Sequence, residues 1–220
     1  MTTDNAPRGI PDGMVEDPIV DANDLPSARR LADLVATYQD LEFVSACAHR
    51  VLDEQSKGSA GDAVLIEGMW TAALIAYARC FNTGLRSVGL TDDTITEVGL
   101  AGDPAGFHRY LRDMRDKHLA HSVNPFERVA VGIGLAHEGA PPAILGVALL
   151  RLRLTSEMPE TVEHLLGLVD ALQLWLGDRI DSQRAAVRQE AEVRDLNELY
   201  ARPRMKVTAA GPDDAGRARA

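Results

Sequence analysis

The first sustained hydrophobic pattern begins near Ser27. Leu31, Leu34, Val35, Tyr38, Leu41, Val44, Ala48, Val51 and Leu52 recur at steps of three and four, which predicts a long amphipathic helix to about Gln55. A second helix is expected from Asp62, placed as its N-cap, to about Asn82, with Gly84 as its stop signal. Its middle, MWTAALIAYARCF, is apolar or small on nearly every side, the composition of a central core helix. The connector LTDDTITEVGLAGDPAG leaves room for one helical turn after Thr91. Asp103 followed by Pro104 then starts another helix, because a proline at the first helical position gives up an N–H that has no intrahelical partner there.

After Asn124 and Pro125 the period changes from helical to alternating. Val129, Val131, Ile133 and Leu135 alternate with Ala130, Gly132, Gly134 and Ala136, a strand with one bulky and one small face. HEGAPP is a turn, and AILGVALLRLRL is a second strand in which Arg151 and Arg153 oppose Leu150, Leu152 and Leu154, so the two runs form a hairpin over about 128–154. A last helix starts near Pro159 and extends toward Tyr200, with Val162, Leu165, Val169, Leu172, Leu176 and Ile180 on its buried stripe. Beyond about Gln183 it becomes strongly charged and is expected to project from the core. Residues 1–25 and 201–220 lack a sustained period and read as disordered tails around one domain over 26–200.

Composition narrows the function classes. The chain has 220 residues, enough for one well-cored domain, and is 45% hydrophobic and 25% charged, ordinary for a globular protein. A formal charge of −10 argues against nucleic-acid binding by the whole surface, so any polyanion contact must come from a local basic patch. Cys47 and Cys80 carry no metal-ligand spacing and read as reduced, small apolar residues. Neither a signal peptide nor a membrane span is read from the sequence, which suggests a cytoplasmic protein. No P-loop, dinucleotide fingerprint, Ser nucleophile elbow or cofactor motif is present.

The basic patch is FHRYLRDMRDKHLAHSVNPFE, Phe107 to Glu127, with three histidines, three arginines and a lysine. On a helical wheel at about 100° per residue, Phe107, Tyr110, Leu111 and Met114 share the packing side and His118 and His121 continue it. Arg115 lies to one flank near Leu119, and Arg109, Arg112 and Asp116 point away. Taken singly, the basic residues suit a solvated face, and His118 and His121 suit either a core or capping place or a site. Arg115, Asp116, Lys117, His118, Leu119, Ala120 and His121 together read RDKHLAH.

This segment resembles the mark of the HEPN family, an Arg commonly followed by Asp or Asn and, four to six residues on, a His. The resemblance covers roughly 27–195 and is nearest to the subgroup associated with bacterial abortive infection. It implies a mainly α fold: a HEPN-like four-helix bundle, here with a β-hairpin inserted between the motif helix and the long C-terminal helix. It also implies a homodimer and, in many members, a metal-independent endoribonuclease in a toxin–antitoxin or defence setting. Its substrate would be RNA, a structured one such as tRNA being the better fit to an acidic chain, and an antitoxin protein would be a further partner. Under that reading His121 exchanges protons, since an imidazole titrates near neutral pH. Arg115 holds and neutralises the phosphate as a guanidinium fork, Asp116 positions Arg115 or the substrate, and His118 is a secondary site residue.

Six residues of regular helix would separate Arg115 from His121 by about 9 Å of rise and about 120°. A symmetric dimer answers this by bringing two motifs into one cleft. Val123 stands where the nucleotidyltransferase-paired subgroup has a Tyr, so adenylylation there is not expected. The alternative is a noncatalytic helical-bundle dimer serving as an interaction or regulatory protein, in which Arg115 is tied up by Asp113 or Asp116. A small-ligand module has no phosphate loop behind it and ranks lowest.

Overall fold

The computed structural model describes residues 19–81, 86, 88–119, 127–153, 158–205, 211 and 213. Its helices are α1 (Pro26–Gln55), α2 (Ala63–Cys80), α3 (Asp92–Glu97), α4 (Pro104–Asp113), α5 (Pro159–Glu192) and α6 (Leu196–Tyr200), with strands β1 (Glu127–Leu135) and β2 (Ile144–Arg153) between α4 and α5. The fold is mainly helical with a two-stranded antiparallel hairpin.

Helix α1 is the spine, packed along both α2 and α5. Its stripe of Leu34, Leu41, Val44, Cys47, Ala48 and Val51 is buried against Trp70, Ala73, Leu74 and Tyr77 of α2 and Leu165, Val169, Leu172 and Leu176 of α5. Each fully buried aliphatic side chain contributes about 1.5–3 kcal/mol, so this seam sets the arrangement of the three long helices. All six residues expected on the buried stripe of α5 are buried.

Local signals explain the helix starts. Asp62 accepts hydrogen bonds from the backbone N–H of Val64 and Leu65, and Asp103 accepts from Gly106 N–H at 2.8 Å, each satisfying donors a helix leaves unpaired. Thr91 and Thr94 form a capping box at α3. Gly61 stands against the end of α1: a Cβ there would lie 2.3 Å from the Glu54 carbonyl oxygen, so the turn into α2 needs a residue without one.

A polar clip joins the same elements. Asp40 on α1, buried, accepts from Arg79 Nη2 at 2.6 Å and from Arg86 Nη2 at 2.8 Å, and Arg86 Nη1 donates to Thr37 Oγ1 at 3.2 Å. Both thiols are free and buried, and burial pushes each upward, that of Cys80 to about 12.

Helix α2 has the length and composition of a membrane span, with a mean hydropathy of 1.3, as the core helix of a globular protein also can. Three findings differ from the sequence reading. Helix α5 stops at Glu192, and α6 restarts with Asp195 as its N-cap, because the Asp195 carboxylate accepts from Asn197 N–H and competes with continued helix.

The charged end of α5 also does not simply project. Glu190 accepts from Ser27 Oγ at 2.7 Å, and Gln183 Nε2 donates to the Ser27 carbonyl at 3.2 Å. Lastly, residues assigned to the two tails meet: Val20 pairs with Arg204 in an antiparallel bridge, and Arg202 grips Asp24 through two hydrogen bonds of 2.6 and 2.9 Å. Few apolar side chains take part in this clasp, so hydrophobic periodicity gives no sign of it.

Candidate functional site

Helix α4 carries the motif toward its end. Leu111 and Met114 are buried, and Phe107 and Tyr110 pack at the edge of the core, as the wheel predicts. The regular α geometry ends at Asp113, however, and Met114–Leu119 form a π-helical turn. Its i→i+5 bonding winds the chain by fewer degrees per residue than an α-helix, so the angular placement of Arg115, Asp116 and His118 on a 100° wheel does not hold. Such turns are over-represented at functional sites.

On this turn Arg115 Nη1 donates to Asp116 Oδ1 at 2.7 Å, and both side chains remain substantially exposed, at 40% and 52%. Lys117 Nζ lies 2.9 Å from Asp113 Oδ1. The turn thus presents two neighbouring cations, each held by a carboxylate and each reachable from solvent. The backbone of His118 belongs to the turn, its side chain is not among the described ones, and His121 lies outside the described residues. The Arg115–Asp116 pair is therefore the part of the expected constellation that the structure brings together.

A buried histidine in the same helix, His108, was not singled out by the sequence reading. It is 2% exposed. Its Nδ1 is 2.7 Å from Tyr77 Oη, its Nε2 is 3.3 Å from Asp92 Oδ1, and Arg112 Nη1 lies 3.6 Å from the same carboxylate oxygen. One hydrogen arrangement satisfies every partner: Tyr77 donates to Nδ1, and Nε2–H donates to Asp92. Phe81 closes the ring's other side with centroids 4.3 Å apart.

Burial lowers the His108 imidazole below its ordinary value, against the opposing pull of Asp92, while burial pushes the Tyr77 phenol upward. A neutral His between a neutral Tyr and a carboxylate fastens α4 to α2 and to the first turn of α3. The signal for it was weak, since on a 100° wheel His108 lies about 60° from Leu111 but about 120° from Met114, at the edge of the packing side. Arg112, expected to point away, is drawn toward Asp92 instead.

Neither of two cavities coincides with the motif; one, of about 460 Å³, lies at the hairpin turn between Leu135 and Ile144. The second, of about 360 Å³, opens at the N-terminal end of α4, lined by Leu100, Asp103, Phe107, Glu163, His164 and Leu168 among others, whereas the π turn follows the other end. Among the described residues no group of three or more His, Cys, Asp and Glu side chains is placed to hold a metal ion. No family model, curated protein or solved structure matches the chain.

Proposed function

We propose that the chain is a metal-independent endoribonuclease of the HEPN type, acting in the cytoplasm as a homodimer within a bacterial defence or toxin system. The observation that supports this reading best is the Arg115–Asp116 pair on an exposed π-helical turn at the end of α4. A carboxylate beside the guanidinium fixes its plane, and the remaining N–H groups are free to grip two phosphate oxygens as a fork. The packing of α1 on both α2 and α5, with α4 against α2, fits the four helices of such a bundle.

In this reading the ribose 2′-oxygen attacks the adjacent phosphorus and loses its proton to a base. The bond from phosphorus to the 5′-oxygen breaks, and an acid protonates the leaving oxygen. Cyclic phosphate and 5′-hydroxyl ends result. His121, with His118 as a second imidazole, supplies the proton transfers, and Arg115, from either protomer, stabilises the charge that builds on phosphorus. The substrate is RNA, with tRNA the first to try, and an antitoxin protein is the partner that would hold the activity in check.

The alternative, a noncatalytic dimer, draws on the same ion pair read as a closed surface contact. Purified protein incubated with total tRNA and with a labelled single strand in EDTA separates the two. Cleavage to cyclic-phosphate ends, abolished by His121→Ala and by Arg115→Ala, is the expected result. A folded wild-type chain that cleaves neither RNA sinks the ribonuclease reading in favour of the interaction protein.

A further inference from the structure

The β1–β2 hairpin is the largest feature that the ribonuclease reading leaves unused. Its register pairs Val129 with Arg151, Val131 with Leu149, Ile133 with Val147 and Leu135 with Ile144, so these residues share one face. The other face pairs Ala130 with Leu150, Gly132 with Ala148 and Gly134 with Gly146. One face is therefore a ridge of branched side chains and the other is mostly small residues, with Leu150 the bulky exception.

The ridge is bare. Val129, Val131, Ile133, Leu135, Ile144, Val147 and Leu149 are 56–75% exposed. Together they present on the order of 800 Å² of apolar surface, about what one partner contributes to a standard stable interface. A two-stranded hairpin is at best marginally stable alone in water, and an exposed apolar ridge of this size marks an interaction site.

We propose that the occupant of this face is the same face of a second copy of the chain, with the two hairpins antiparallel so that each turn lies over the other's base. Three observations select this partner. The area suffices for a dimer without any other surface. The ridge has no charge in its middle and unlike charges at its ends: a net positive base, where Glu127 pairs in register with Arg153 beside exposed Arg151, and exposed Glu138 in the turn.

An antiparallel two-fold arrangement sets Glu138 of each copy against Arg151 of the other, while a parallel one sets like against like, which is repelled. Finally, Glu127–Arg153 holds three arginines and two glutamates in a chain whose formal charge is −10, so two acidic copies can approach at the hairpin without the repulsion the net charge would impose elsewhere on an acidic surface. The inference does not depend on the chain cleaving RNA.

Sedimentation of the full chain over a wide concentration range tests it. The wild type is expected to dimerise, and Val131→Glu with Leu149→Glu to sediment as a monomer with an unchanged helical circular-dichroism signal, because neither side chain is part of the helical core. Glu138→Arg alone and Arg151→Glu alone are expected to weaken the dimer more than about tenfold, and the two together to restore it. A monomeric wild type overturns the proposal, and flotation of that monomer with anionic vesicles would reassign the ridge to a membrane. A dimer indifferent to the two glutamates overturns it equally, and a double charge swap that fails to restore the dimer overturns the antiparallel pairing. Because the readout is association, failure here and failure of RNA cleavage are separate results.

Discussion

Tyr77 Oη and His108 Nδ1 stand 2.7 Å apart inside the core, and Asp92 closes the other side of the imidazole at 3.3 Å. Two shorter elements, α3 and α4, are thereby fastened to the central helix α2 by a hydrogen-bonded chain as well as by apolar packing. Tyr77→Phe removes the donor and leaves Nδ1 unpaired in the core. It should cost about 1–3 kcal/mol, measured by urea denaturation at pH 7.5. Loss of less than half a unit of that scale would mean that water or a ring flip satisfies the nitrogen.

The same imidazole should make stability depend on pH. Burial lowers its pKa in the fold, so between the folded value and the unfolded value near about 6.5 the unfolded chain binds more protons. The contribution of neutral His108 is thus complete above about pH 6.5 and erodes as pH falls toward the folded value. His108→Phe, which cannot titrate, should lose less stability than the wild type between pH 7.5 and 5.5, although it is weaker at 7.5. Parallel pH profiles of the two proteins would remove His108 as the cause.

At Asp40, one buried carboxylate serves two guanidinia, one from α2 and one from Arg86 beyond it. Asp40→Asn keeps the volume but removes the charge both arginines point at. Because the arginines are partly exposed and can recover water, the expected cost is about 1–3 kcal/mol, below that of a fully buried pair. Thermal melts of Asp40→Asn beside Arg86→Gln would check this, and the two losses should be less than additive since they share a partner.

The clasp between the ends of the described chain should act locally. Arg202 lowers the Asp24 carboxyl below its ordinary value through its hydrogen bonds, so the contact weakens as pH falls through the folded Asp24 value. Arg202→Ala should leave the global unfolding midpoint nearly unchanged, while amide exchange and proteolysis over residues 19–25 accelerate. A large drop in the midpoint would instead make the clasp part of the cooperative core.

Much of this architecture was legible in the sequence, for identifiable reasons. The three long helices and the hairpin declare themselves because burial on one side imposes a period of 3.6 or 2 on apolar residues, and Asp62, Thr91 and Asp103 mark helix starts by the donors they satisfy. Periodicity has no vocabulary for what was missed. A π turn preserves the residue types of a helix while changing their angles, the Asp40 clip and the Arg202 clasp depend on residues far apart in sequence, and the Tyr77–His108 pair joins helices 31 positions apart. At the candidate site, Arg115 and Asp116 are neighbours in the chain, so their pairing was readable where the placement of His118 was not.

That pairing leads to the last prediction, which concerns the geometry of Arg115 and not only its charge. If the Arg115 guanidinium grips phosphate as a fork oriented by Asp116, Arg115→Lys retains the charge and loses the fork, and should cleave RNA about 10²–10³-fold more slowly, close to Arg115→Ala. Asp116→Asn keeps a hydrogen-bond acceptor but weakens the orienting pair, so its loss should be smaller, on the order of tenfold, and should fall on kcat more than on KM. Lys117→Ala, whose ammonium is held by Asp113, should raise KM with little effect on kcat if it only attracts the polyanion. Single-turnover cleavage of one tRNA by these variants supplies the comparison. Full activity in Arg115→Lys would show that a point charge suffices, and the planar fork would lose its place in the mechanism.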